Sequence, residues 1–196
     1  MNRRDLNATI GLILGALLIL GSPEQGRAQQ EKRTEQEDLR APGEEHKRLN
    51  AMAGRWDVVV TYRLGPDREM KGTAQCDAKW VLDGRFLRQD YRSEIQKRPF
   101  EVVQYLGFDR SKKRFVELKM DSMDTAVMHN EGSLSDDGRT ITCVGERLDR
   151  EDGRSRPLRT VYTLTDADHF TLSWYTTDST GKEEKAVELV HTRRAP

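Results

Sequence analysis

About ten segments of this chain alternate apolar and polar residues with a period of two, and only short turn-like stretches separate them. In "RWDVVVTYR" Trp56, Val58, Val60 and Tyr62 alternate with Asp57, Thr61 and Arg63, the pattern of a strand buried on one face. In "MKGTAQCDAKW" Met70, Ala74, Cys76, Ala78 and Trp80 share a parity. The same period returns in "RFLRQDYR", "FEVVQYLGFD", "RFVELKM" (with Val116, Leu118 and Met120 as the apolar set) and "AVMHNEG". It continues in "RTITCVGERL", "RTVYTLT", "HFTLSWYT" and "KAVELVHT". Connections such as "LDGR", "SDDGRT", "TDAD" and "DSTGKEE" carry turn residues, and none has room for a crossover helix. Consecutive strands must therefore pair antiparallel, as a meander. A meander of this length exposes two edges unless it closes, so the sequence predicts an all-β, up-and-down barrel of about ten strands with space for a ligand inside. A two-sheet sandwich is the competing architecture, because pairing order is not written in the alternation.

The segments outside the meander set its boundaries and address. Residues 1–28 combine basic Arg3 and Arg4, an apolar stretch from Ala8 to Leu20, and small residues at Gly26 and Ala28. These are the parts of a signal peptide cut after Ala28, and the apolar stretch is shorter than the ~20 residues of a membrane span. The expected location is periplasmic or extracellular, without a membrane anchor. The adjacent Arg3 and Arg4 leave the general and twin-arginine export routes both open. Residues 29–45, "QQEKRTEQEDLRAPGEE", are too charged to bury a core and predict a disordered linker, with the barrel domain over 46–196. Leu49, Met52 and Ala53 fall on one side at helical spacing over Glu44 to Ala53, so a short helix is expected ahead of Gly54, with Gly54 as its left-handed cap.

Charge excludes one class of partner. The chain has 33 Lys+Arg and 33 Asp+Glu, whereas a nucleic-acid binder normally carries a basic excess. The two cysteines, Cys76 and Cys143, share the parity of apolar neighbours; both a disulfide and two buried thiols fit that placement.

Gly54, Arg55 and Trp56 open the first strand directly after the helical segment. This arrangement resembles the G-x-W signature of the lipocalin and wider calycin barrels, where the tryptophan plugs the closed end against a basic residue of the last strand. The resemblance places Arg193 or Arg194 of "VHTRRAP" as that partner. Together with "EHKRLNAMAGRWDV", "GTAQCDAKWVLDGRFLRQDY", "GFDRSKKRFV", "DSM" at 121–123 and "VHTRR", the chain from about Glu44 to Arg194 resembles a bacterial family of unknown function, DUF1579, grouped with calycin-like barrels. That resemblance implies a fold and no activity.

Chemistry is sparsely marked. The four histidines, His46, His129, His169 and His191, form no H-x-x-x-H pair, and no C-x-x-C is present, so no metal site is expected. No G-x-S-x-G elbow or other catalytic motif occurs. No cofactor is expected. One alternative comes from resemblance to nitrobindin-like ten-stranded barrels, which bind haem through a histidine near the C-terminus; here His191 would fill that place. Polar residues on inward parities are better candidates, since a buried polar group needs a partner. Gln89, Tyr91, Gln104, Asn130 and Tyr162, with the flexible Met120, make the expected cavity wall. The function expected by analogy with such barrels is binding of a small, largely apolar molecule. The alternatives are an isomerase or hydrolase using the same cavity, and an envelope interaction module.

Overall fold

The computed structural model describes residue 27 and residues 39–65, 68–149, 153–178 and 180–195. The expected signal peptide, apart from residue 27, and residues 29–38 of the expected linker lie outside the described residues. A helix α1 (Glu44–Arg48) runs into a 3-10 turn (Leu49–Met52). Ten strands follow: β1 (Gly54–Arg63), β2 (Glu69–Val81), β3 (Phe86–Ile95), β4 (Arg98–Asp109), β5 (Arg114–Asp121), β6 (Met128–Leu134), β7 (Thr140–Leu148), β8 (Ser155–Leu164), β9 (His169–Thr177) and β10 (Glu183–Arg193). Each pairs antiparallel with its neighbours in sequence, and β10 returns to β1, closing the barrel. The sandwich alternative is thereby excluded. Closure sets Trp56 opposite Arg193, Val58 opposite His191 and Val60 opposite Leu189, so no ladder is left open.

Parity decides what the barrel contains. Trp56, Val58 and Val60 of β1, Ala74, Cys76 and Ala78 of β2, and Phe170 and Leu172 of β9 are buried inside. Most charged side chains take the opposite parity and face outward, the reverse of barrels whose outer surface meets lipid. Strand β5 departs from the expected reading. Phe115, Glu117 and Lys119 are its buried residues, and Val116, Leu118 and Met120 are only half-buried, on the outer parity. Met120 is therefore not a cavity residue. On the outer face it lies opposite Val103, and Leu118 opposite Tyr105, so these side chains find apolar cross-strand partners without entering the core.

The end of the barrel nearest α1 is filled. Leu49 and Met52 are fully buried and belong to the same core as Trp56, Leu87, Leu106 and Phe115. Trp56 Nε1 donates to the Met52 carbonyl at 3.0 Å, and Trp80 Nε1 to Asn50 Oδ1 at 2.7 Å. These bonds tie the helical segment across the opening. Gly54 is not the helix cap expected from the sequence: the residue after the 3-10 turn, Ala53, is extended, and Gly54 is the first residue of β1 at φ +126°. A Cβ there would lie 2.5 Å from Arg193 Nη1, so close approach and backbone angle both call for glycine.

Candidate functional site

The interior has two halves. Below, toward α1, aromatic rings fill it: the Phe170 and His191 rings stack 3.8 Å apart, and Trp56 meets Phe170 edge-on at 4.8 Å. Above, toward the β1–β2, β3–β4 and β5–β6 connections, a cavity of about 240 Å3 opens. At roughly 30 Å3 per water in the liquid, it has space for about eight waters. Val60, Ala74, Val102, Leu172, Val187 and Leu189 supply its apolar wall. Its polar groups are few: Tyr91 and Gln104 deep inside, with Tyr62, Ser93, Lys119, Asp121 and Trp174, whose buried indole N–H has no partner among the described residues, making up the rest. A wider recess of about 1190 Å3 adjoins it, shares Lys119, Asp121 and Trp174, and is otherwise walled largely by polar and charged residues of β7 to β10. The smaller space has the largely apolar lining of a ligand site.

The register places the polar groups. Gln89 lies opposite Gln104, and Gln104 opposite Lys119, so three inward polar side chains stand in a row across β3, β4 and β5. Lys119 is 5 % exposed, with Nζ 2.8 Å from Asp121 Oδ2 and 4.5 Å from the centre of the Trp174 ring. Burial lowers its pKa, and the nearby carboxylates, Asp121 first, oppose that shift. Below this row, three donors converge on the fully buried Glu117: Asn130 Nδ2 at 2.9 Å, Thr160 Oγ1 at 2.5 Å and Tyr162 Oη at 2.7 Å. A buried carboxyl without such partners would cost several kcal/mol or more. Gln104 Nε2 donates to both Gln89 Oε1 at 2.9 Å and Tyr162 Oη, joining the Glu117 cluster to the cavity floor.

Of the residues singled out from the sequence, Tyr91 and Gln104 line the cavity. Gln89, Asn130 and Tyr162 are buried in the wall below it, and Met120 is outside. Glu117 and Lys119 were missed. The only inward sign in "RFVELKM" is that Phe115 shares their parity, against three apolar residues on the other face.

At the closed end Arg193 lies over Trp56, its guanidinium carbon 4.1 Å from the ring centre. Its nitrogens donate to the carbonyls of Ala51 (2.9 Å), Ala53 (2.8 Å) and Ala167 (2.8 and 2.9 Å). Arg194 instead pairs with Asp57, at 3.0 Å. His191 is fully buried, with Nε2 3.1 Å from Tyr91 Oη. Burial depresses its pKa to about 3, against small opposing effects from the backbone of Phe170 and Leu189. The ring is not part of the cavity wall, and its Nε2, a nitrogen through which it would bind iron, is taken by the Tyr91 hydroxyl. These residues do not fit a haem site.

Both cysteines are buried free thiols, on β2 and β7. Burial raises both, Cys76 to about 12. Among the described residues no group of three or more His, Cys, Asp or Glu side chains is placed to hold a metal ion.

A search of curated proteins finds no match for this chain. Among solved structures it resembles the crystal structure of Rv2717c from M. tuberculosis, with a TM-score of 0.58 and 15 % identity over 79 % of this chain and 100 % of that one. At that identity the likeness concerns the fold. A family model described as protein of unknown function (DUF1579) matches residues 41–193. With the match spanning the helix and all ten strands, the chain belongs to the DUF1579 family.

Proposed function

We propose that this protein is an exported barrel that binds one small, largely apolar molecule in the cavity of its open half. The observation carrying the reading is the cavity itself: about 240 Å3, walled mainly by aliphatic and aromatic side chains. Burying apolar ligand surface against such walls yields roughly 25 cal/mol per Å2, so a molecule of this size could bind without many polar contacts. A core selected for stability alone would have closed the space, because an empty cavity of this kind costs stability in proportion to its volume. Export rests on residues 1–28, and cleavage after Ala28 leaves a mature chain beginning at Gln29.

Native mass spectrometry of protein purified from its own cell envelope tests both parts. A mass beginning at Gln29 together with a stoichiometric small-molecule adduct is the expected result. Protein that stays free of adduct, and gains no thermal stability from any small apolar compound, would overturn the binder.

The enzyme alternative has one observation in its favour, the buried amine of Lys119 on the cavity wall with a lowered pKa. Asp121 at 2.8 Å holds that amine as a charged pair, which works against its use as a base or nucleophile. The binder remains the conclusion.

A further inference from the structure

We infer that the cavity selects an apolar molecule carrying a hydrogen-bond donor, a hydroxyl or an N–H, at its inner end, where it meets the Gln104 carbonyl oxygen. The inference rests on the binder reading above and specifies the chemistry of the guest.

It follows from the direction of a chain of hydrogen bonds. Tyr162 is fully buried, and its phenol is held well above its ordinary pKa, first by burial and then by nearby Glu117, so it keeps its single proton. That proton goes to Glu117 Oε1 at 2.7 Å. The Tyr162 oxygen can then only accept from Gln104, which makes the Gln104 atom facing it the amide nitrogen. The other N–H of that amide goes to Gln89 Oε1 at 2.9 Å. Both amide protons are thus engaged inside the wall, and Oε1 is the polar atom Gln104 has left for the cavity it lines. Reversing the amide would set its oxygen against a Tyr162 oxygen that has no proton to give.

Neighbouring groups do not fill that role. Lys119 lies opposite Gln104 in register, but its ammonium is held by Asp121 and over the Trp174 ring. Tyr91, the other deep polar residue of the wall, has its hydroxyl on His191 Nε2. A guest that brought only acceptors would bury the Gln104 oxygen without a partner, and an acceptor left unpaired on burial costs about 1–3 kcal/mol. A hydroxyl or N–H guest avoids that cost. Discrimination of this type is stronger than discrimination by shape in an apolar pocket.

The test compares 4-propylphenol with its methyl ether, 4-propylanisole, by isothermal titration calorimetry on the mature protein. The two share a skeleton and differ in the donor. The phenol is expected to bind roughly tenfold more tightly or better, and Gln104→Met to reduce that ratio toward one. Should Gln104→Met fail to fold, the side-chain carbonyl carbon of Gln104 in the wild type gives the second reading, with a 13C shift on adding the phenol and none on adding the ether. Equal affinities, or a carbonyl signal unmoved by bound phenol, would overturn the donor requirement and leave the binder intact. Binding of neither compound would overturn both.

Discussion

The Arg193 guanidinium covers one face of the Trp56 indole at 4.1 Å while its nitrogens reach three backbone carbonyls, so one side chain joins the last strand, the first strand and the 3-10 turn. The indole N–H adds a fourth tie, to Met52. Charge-assisted bonds to carbonyls and the cation–π contact act together, and the closed end depends on both. Arg193→Met should lower stability by about 2–3 kcal/mol, and a double-mutant cycle with Trp56→Leu should show coupling of about 1 kcal/mol or more. Urea unfolding followed by circular dichroism measures both. Additive losses would mean that the two residues act separately.

Gly54→Ala should destabilise by about 2 kcal/mol or more, because the new methyl requires a left-handed backbone angle and meets Arg193. In the Arg193→Met background the penalty should shrink, since part of it is the clash. A thermal denaturation series of the three variants reads the difference.

Glu117→Leu removes the acceptor of Asn130, Thr160 and Tyr162 together. Each donor left unpaired costs about 1–3 kcal/mol, so a total loss of about 3 kcal/mol or more is expected. Adding Tyr162→Phe should recover part of the loss, since it removes one of the three stranded donors, although the Gln104 amide loses an acceptor with it. A further decrease on adding it would show that the bond the Tyr162 oxygen accepts from Gln104 outweighs its stranded proton.

Stability should fall with acid in a window set by His191. Its folded pKa, about 3, lies below the unfolded value of 6.5, so the unfolded state binds the extra proton. The neutral-histidine contribution is fully present above pH 6.5 and is lost as pH falls toward 3. His46, also lowered mainly by burial, adds in the same direction. His191→Phe keeps a ring against Phe170 and should flatten the unfolding free energy between those pH values relative to wild type. An unchanged slope would mean that His191 is protonated in the fold.

Cys76 and Cys143 should resist alkylation by iodoacetamide in the native state and react on unfolding, because both thiols are buried and burial raises their pKa values. Mass spectrometry before and after denaturation counts the labels. Labelling of either thiol at the rate of an exposed cysteine would contradict the packing described for β2 or β7.

Much of the architecture was legible because a strand advertises its buried face at every second residue. Trp56, Val58 and Val60, or Leu87, Gln89 and Tyr91, needed no neighbour to declare their side. Strand β5 did need one. Its two faces compete, with Val116, Leu118 and Met120 against Phe115 alone, and the more apolar face is the one outside. Register with β4 decides the matter, setting Glu117 beside Leu106 and Lys119 beside Gln104 within the barrel. Those two charged residues are tolerated there because β6, β8 and Asp121 supply their partners.

By itself, then, the order of residues determined strand number, antiparallel succession and the position of the tryptophan, all of which rest on periodicity and short-range turn chemistry. Closure of β10 on β1, the inward turn of Glu117 and Lys119, and the division of the interior into a filled and a hollow half were decided only in three dimensions. The physical reason is that hydrogen-bond satisfaction and packing volume are properties of residues far apart in sequence. Alternation along one strand carries no record of them.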